Sequence, residues 1–165
     1  MIQIMWLSRG VEWAVHTLLN LAWAGGDDPV STTTLASGHD HPAAYLNKQL
    51  QRLVKAGLLT SEPGVRGGFR LARGLESITL LDVVDAIEGP GSLFRCMEIR
   101  RCGTIAAGIS DCDFTTDCAV KTAMNRAESA WRAALAAQTL AAVRAEADAH
   151  SPGVAASVRH AFGRD

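Results

Sequence analysis

Apolar positions recur at helical spacing in the first long segment, SRGVEWAVHTLLNLAWAGG. Val11, Val15, Leu18, Leu19 and Ala22 fall along one side. The pattern predicts a helix from Ser8, stopped by Gly25-Gly26. Asp27-Asp28-Pro29 reads as a turn, and Val30 to Gly38 as a short helix capped by Ser31 or Thr32. After a second turn, Gly38-His39-Asp40-His41, Pro42 suits the first turn of another helix. That helix turns Leu46, Leu50, Leu53 and Val54 inward. It leaves Asn47, Lys48, Gln51, Arg52 and Lys55 on other faces, and Gly57 closes it. A short helix, a tight turn and a helix with polar and basic faces form the helix-turn-helix pattern.

Leu58-Leu59-Thr60 predicts a short strand, and Phe69-Arg70-Leu71-Ala72 alternates as a returning strand should. The turn-rich tip between them, EPGVRGG, makes the pair a wing. Ile78 to Glu88 is a further amphipathic helix, ended by Gly89-Pro90-Gly91. From Phe94 to Met124 no clean apolar period survives, which predicts a loop. The chain from Ala119 to His150 has no proline or glycine and many alanines, so its helix propensity is high. About thirty residues rising ~1.5 Å each predict one rod of roughly 45 Å. A small winged domain cannot bury the full stripe of such a rod, so it is read as a dimerisation helix. The expected organisation is a mainly α chain. Residues 1–75 form a winged helix-turn-helix, 76–118 a linker helix and cysteine loop, 119–150 a dimerisation helix, and 151–165 a C-terminal tail.

A chain of 165 residues suffices for one good core plus an appendage. No apolar run reaches the eighteen or so residues of a membrane span, and the N-terminus lacks the basic start and apolar core of a signal peptide. A cytoplasmic protein with no membrane partner is expected. The net charge of −1 is uninformative, but its distribution is not. From His41 to Leu75, six lysines and arginines stand against Glu62 alone. With the helix-turn-helix, this points to double-stranded DNA. Asn47, Lys48, Gln51 and Arg52 are then the candidates on the second helix, and Arg66 and Arg70 on the wing.

All four cysteines lie in the loop: Cys96, Cys102, Cys112 and Cys118, spaced C-x5-C, x9, C-x5-C. Clustered thiols suggest a metal site or a redox switch. Soft thiolates suit iron–sulfur clusters. The spacing fits structural zinc poorly without excluding it, and a thiol–disulfide switch stays open. Glu12 and His16, four apart, share a helix face, which alone marks a surface pair. Two histidines in a polar turn, His39 and His41, read as solvated or capping. A catalytic thiol enzyme would need a nearby base and a substrate pocket, for which the sequence carries no signature.

The order helix, helix-turn-helix, wing, helix, cysteine loop, long helix resembles the bacterial winged-helix regulators typified by IscR and NsrR. The likeness runs from about Leu7 to His150. It is carried by YLNKQLQRLVKAGLLTSEPGVRGGFRLAR, ITLLDVVDAIEG, and the loop leading into CAVKTAM and AESAWRAAL. It implies a homodimer that binds promoter DNA under control of an iron–sulfur cluster. Two departures stand out. Four cysteines form two separated pairs in place of three, and Lys121 occupies the place of a histidine ligand. SRGVEWAVH looks most like the RsrR-type, redox-sensing members. That likeness implies a [2Fe–2S] cluster bridging the dimer, with Glu12 and His16 from one chain and two cysteines from the other. Cys112 and Cys118 match the final pair best; Cys96 and Cys102 are then spare, or replace them in another redox or cluster state, and a [4Fe–4S] cluster on the four cysteines stays open. Trp13, between these two ligands on the first helix, is the implied switch. The alternative is a regulator using zinc or thiol–disulfide chemistry without a cluster.

Overall fold

The computed structural model describes residues 7–108 and 114–164. Helix α1 runs Arg9–Ala24 and carries the buried residues Val11, Ala14, Leu18 and Leu21. Ser8 precedes it, and its backbone N–H donates to Glu88 Oε1 at 2.9 Å. Helix α2, Thr32–Ser37, is capped by Ser31, whose hydroxyl accepts from the Thr34 N–H at 3.1 Å. Helix α3, Ala43–Lys55, buries Leu46, Gln49, Leu50 and Leu53, a one-sided stripe. It ends with Gly57 N–H bonded to Val54 O and Leu58 N–H to Leu53 O, which satisfies two of its last carbonyls.

Strands β1, Leu59–Glu62, and β2, Gly68–Leu71, form the antiparallel wing, with Thr60 opposite Arg70 and Ser61 opposite Phe69. Val30 adds a bridge to Phe69 on the free edge of β2. The two exchange both backbone bonds at 2.9 Å. A Cβ at Gly68 would lie 2.3 Å from Val30 O, so only glycine lets this segment approach. The wing is thereby stitched to the entry of α2.

After a 3-10 turn at Leu75–Ser77, helix α4 spans Leu80–Glu88 and buries Val83, Val84 and Ile87. It packs on α1 and α3. Thr79 and Asp82 form a capping box, a T-x-x-D signal legible in ITLLD.

The chain divides into two compact units, Met1–Pro90 with Leu135–Asp165, and Gly91–Ala134. The second unit holds a 3-10 turn at Ile99–Arg101, helix α5 at Gly103–Ala106, and most of helix α6, Ala119–Ala136. Among the described residues no helix is long and apolar enough to cross a membrane.

The single rod expected from 119 to 150 is two helices. Helix α7, Leu140–His150, begins at its own cap, Thr139, whose hydroxyl accepts from Ala142 N–H. The interruption has a tertiary cause. Residues 138–140 pair with 78–80: Leu80 N–H donates to Gln138 O at 2.9 Å and Leu140 N–H to Ile78 O at 2.8 Å. Leu140 and Ile78 are both fully buried there. Alanine-rich propensity favours a continuous helix only weakly, and burial of Leu140 outweighs it. Helix α7 packs on α1, and Trp23 Nε1 donates to Asp148 Oδ1 at 2.8 Å. A final helix, α8, Val154–Ala161, packs on α1 and α7. The tail is thus part of the first unit.

Leu140→Ala should cost about 2–5 kcal/mol in urea unfolding of the winged unit, as a core leucine does. A loss below about 0.5 kcal/mol, the range of surface sites, would mean that α7 is no part of that core.

Candidate functional site

Two faces and one loop carry the candidate chemistry. On α1, Glu12 and His16 are exposed and Trp13 is half-buried. The Trp13 indole stacks on His41 with ring centroids 3.9 Å apart and planes 21° apart. Tyr45, in the first turn of α3, meets the same indole edge-on at 5.1 Å. His39 lies 5.4 Å from His16 and 5.6 Å from His41, centroid to centroid. Buried Asn20, one turn beyond His16, sits 2.8 Å from His39 Nε2 through its side-chain amide.

These contacts join α1 directly to the turn that opens the second helix of the helix-turn-helix. His39 is exposed and His41 half-buried, as turn residues are, and both also take side-chain partners that the sequence does not disclose. Burial pushes the His39 pKa down, and the neighbouring His16 and His41 act in the same sense. Burial and His16 also lower His41, against the opposite pull of Asp40 and Glu12. The sequence did hold a signal: Asn20 is amide-bearing in an otherwise apolar stretch, and a buried amide needs a partner.

In the second unit, Glu98 and Arg100 organise the loop. Arg100 donates to Glu98 Oε1 at 2.5 Å and Oε2 at 3.0 Å, and to the Thr116 carbonyl at 3.3 Å. It so ties the first arm of the loop to the second. The Phe114 ring lies under the Arg101 guanidinium at 4.4 Å. Glu128 on α6 accepts from the Ser92 hydroxyl at 2.7 Å and the Leu93 N–H at 3.1 Å, which anchors the start of the loop. These bonds, the Ser92 one foremost, hold its carboxyl below the usual range.

Cys96, Cys102 and Cys118 are free thiols; Cys112 lies outside the described residues. Cys96 Sγ accepts the Glu98 N–H at 3.4 Å. The Arg100 pKa is raised first by its hydrogen bond to Glu98, then by Glu98, Cys118 and Cys96 charges. Lys121 is raised first by Asp117, 3.0 Å away, with a further contribution from Cys96. The Arg100 charge therefore reaches both Cys96 and Cys118, although 21 residues separate them. Donor N–H groups and cations around sulfur suit metal-bound thiolates. Among the described residues of a single chain, no three or more His, Cys, Asp or Glu side chains come together to hold a metal ion.

On the DNA-facing candidates the structure distinguishes three situations. Asn47, Lys48 and Gln51 are exposed along α3. Arg52 is exposed but engaged: its guanidinium donates to Ile87 O at 2.7 Å and Gln49 Oε1 at 3.3 Å. It neutralises a carbonyl in the last turn of α4, a favourable place for a cation. Arg70 is likewise engaged, with Glu62 at 2.7 Å, Thr60 Oγ1 at 3.3 Å and the Asp27 carbonyl at 3.4 Å. Arg66, at the wing tip, is exposed and has no ion pair or hydrogen bond among the described residues.

The comparisons with known proteins agree with this architecture. Residues 7–146 match the Rrf2 family, described as iron-dependent transcriptional regulators. YwgB of Bacillus subtilis, a putative HTH-type transcriptional regulator by name, is 37% identical over 91 residues, 55% of this chain and 58% of that protein. The match thus spans little more than half of that relative. Among solved structures, CymR of B. subtilis, titled a global cysteine regulator, superposes with a TM-score of 0.65 at 22% identity, over 87% of this chain and 98% of the other. T. potens IscR superposes with a TM-score of 0.64 at 20% identity, over 92% and 94%. At these identities the two structures establish the fold. With the family match covering most of its length, the chain belongs to the Rrf2 family of transcriptional regulators.

Proposed function

We propose that this chain is a homodimeric, redox-sensing regulator whose binding to promoter DNA is controlled by an iron–sulfur cluster of the [2Fe–2S] type. Glu12 and His16 of one chain and two thiolates of the other hold it. The observation that carries the reading is the ring cluster of Trp13, His41 and Tyr45. It couples the α1 face bearing Glu12 and His16 to the turn and first residues of α3.

A bound [2Fe–2S] cluster supplies a one-electron redox centre. The chain's own residues do the rest. Glu12 and His16 offer one oxygen and one nitrogen from adjacent turns of a rigid helix. Trp13, stacked on His41, transmits any tilt of that helix to α3. Asn47, Lys48 and Gln51 then move against the base edges, and Arg66 against the phosphates. The element biased is the angle between α1 and α3, a local change with a distant readout.

Cys118 is one thiolate. For the second, the sequence offers Cys112. Cys96, which like Cys118 lies within reach of the Arg100 charge, is the alternative. The homodimer is supported by α6, which has no buried residue over its eighteen. Val120 and Met124 lie open on it, and Met97 and Ile99 in the same unit are largely exposed. An apolar helix face without cover in the single chain fits a second copy.

Cys118→Ser and Cys112→Ser should each remove the visible absorption of anaerobically purified protein, and Cys96→Ser should leave it. Bands that survive Cys112→Ser but not Cys96→Ser would make Cys96 the ligand. Glu12→Ala or His16→Ala should shift the spectrum while sedimentation still reports a dimer; unchanged bands in both would sink this ligand set. Val120→Glu combined with Met124→Glu should give monomers by sedimentation, and a persistent dimer would assign the interface elsewhere. Arg66→Ala should weaken binding evenly across duplexes and reduce the salt slope by about one unit. A loss confined to sequence discrimination would contradict a phosphate contact.

A further inference from the structure

We infer that Arg164, in the C-terminal segment, is a positioning residue for the DNA-reading surface, acting with Arg70 to clamp the turn between α1 and α2. The inference rests on the DNA-binding reading and assigns a part in it to a segment that lies beyond the family match, which ends at residue 146.

The turn at 25–28 presents backbone carbonyls that neither helix satisfies. The Arg164 guanidinium donates through Nη1 to the Gly25 carbonyl and through Nη2 to the Asp28 carbonyl. From the opposite side, Arg70 Nη1 donates to the Asp27 carbonyl at 3.4 Å. Two forks from distant parts of the chain thus hold one four-residue turn. Arg70 belongs to β2, and its remaining donors reach Thr60 and Glu62 on β1. The same turn leads through Val30, bridged to Phe69, into the Ser31 cap of α2. Its position therefore sets both the wing and the first helix of the helix-turn-helix.

The C-terminal segment is built to deliver Arg164 there. Helix α8 lies on α1, and Gly163, at φ +64°, reverses the chain past its end. Arg164 N–H closes back on the Arg159 carbonyl at 2.9 Å. A Cβ at Gly38, the residue after α2, would stand 3.4 Å from the Phe162 ring. Ser31, Thr34, Val65, Arg66, Phe162 and Arg164 together border a groove of about 420 Å³, so the tail reaches the wing tip.

A phosphate seat is the competing use of this arginine pair. The carboxylates of Asp27 and Asp28 and the engaged donors count against it. Arg164 spends its fork on carbonyls, whereas Arg66, on the groove it shares with Arg164, is left to meet a phosphate. A lysine could keep the charge but not the fork.

The test uses the full-length protein and a duplex it selects from a randomised pool, with a scrambled duplex of equal composition as control. Arg164→Ala should weaken binding to the selected duplex about tenfold, the scale of one lost charge-assisted hydrogen bond, and leave the scrambled duplex nearly unaffected. The salt slope and the dimer should not change. Arg164→Lys should behave alike, and it stands in if the alanine variant does not fold. A salt slope lower by about one unit would make Arg164 a phosphate contact. Equal losses on both duplexes, or none, would also overturn the inference. A wild-type protein that selects no sequence would overturn the DNA-binding reading itself.

Discussion

The packing of α1 is the constraint on which the rest depends. One side of this helix is buried under α3 and α4, through Val11, Ala14, Leu18 and Leu21. Its other side shows Glu12 and His16 to solvent. A helix buried so thoroughly moves as a body, because close-packed cores do not deform smoothly. Whatever acts on its exposed face is felt by every element packed on it. Trp13 stands at the boundary between these faces, with its ring on His41. The far end is fixed as well, by Trp23 on Asp148 and by the clamp on the turn that follows.

The loop unit follows a different physical logic. Ion pairs and hydrogen bonds hold its described parts together: Glu98 with Arg100, Lys121 with Asp117, and Glu128 with the Ser92 hydroxyl and the Leu93 N–H. Exposed pairs of this kind are worth little each.

Most of the winged unit was legible in the sequence because its signals are local. The stripe Leu46, Leu50, Leu53, the cap at Ser31 and the glycine-rich wing tip each follow from a few adjacent residues. What escaped was set by partners far along the chain. The division of the last long helix depends on residues 138–140 meeting 78–80, and the alanine-rich stretch around it carries no sign of that partner. His39 and His41 acquired their setting from α1, about two dozen residues earlier. For Arg52 and Arg70 a sequence shows the charge and not the carbonyl or carboxylate that each also meets. For the thiols, the Arg100 charge that reaches both Cys96 and Cys118 joins residues across a separation no motif reports.

The central claim is that the redox state of the α1-and-loop site governs the hold of α3 on DNA. The most direct test is the affinity of anaerobically purified protein for its selected duplex, measured by fluorescence anisotropy while dithionite is titrated in and the visible spectrum is followed. The account predicts one visible transition and a change in affinity that tracks it. A colourless protein, or a coloured one with the same affinity before and after reduction, would contradict it.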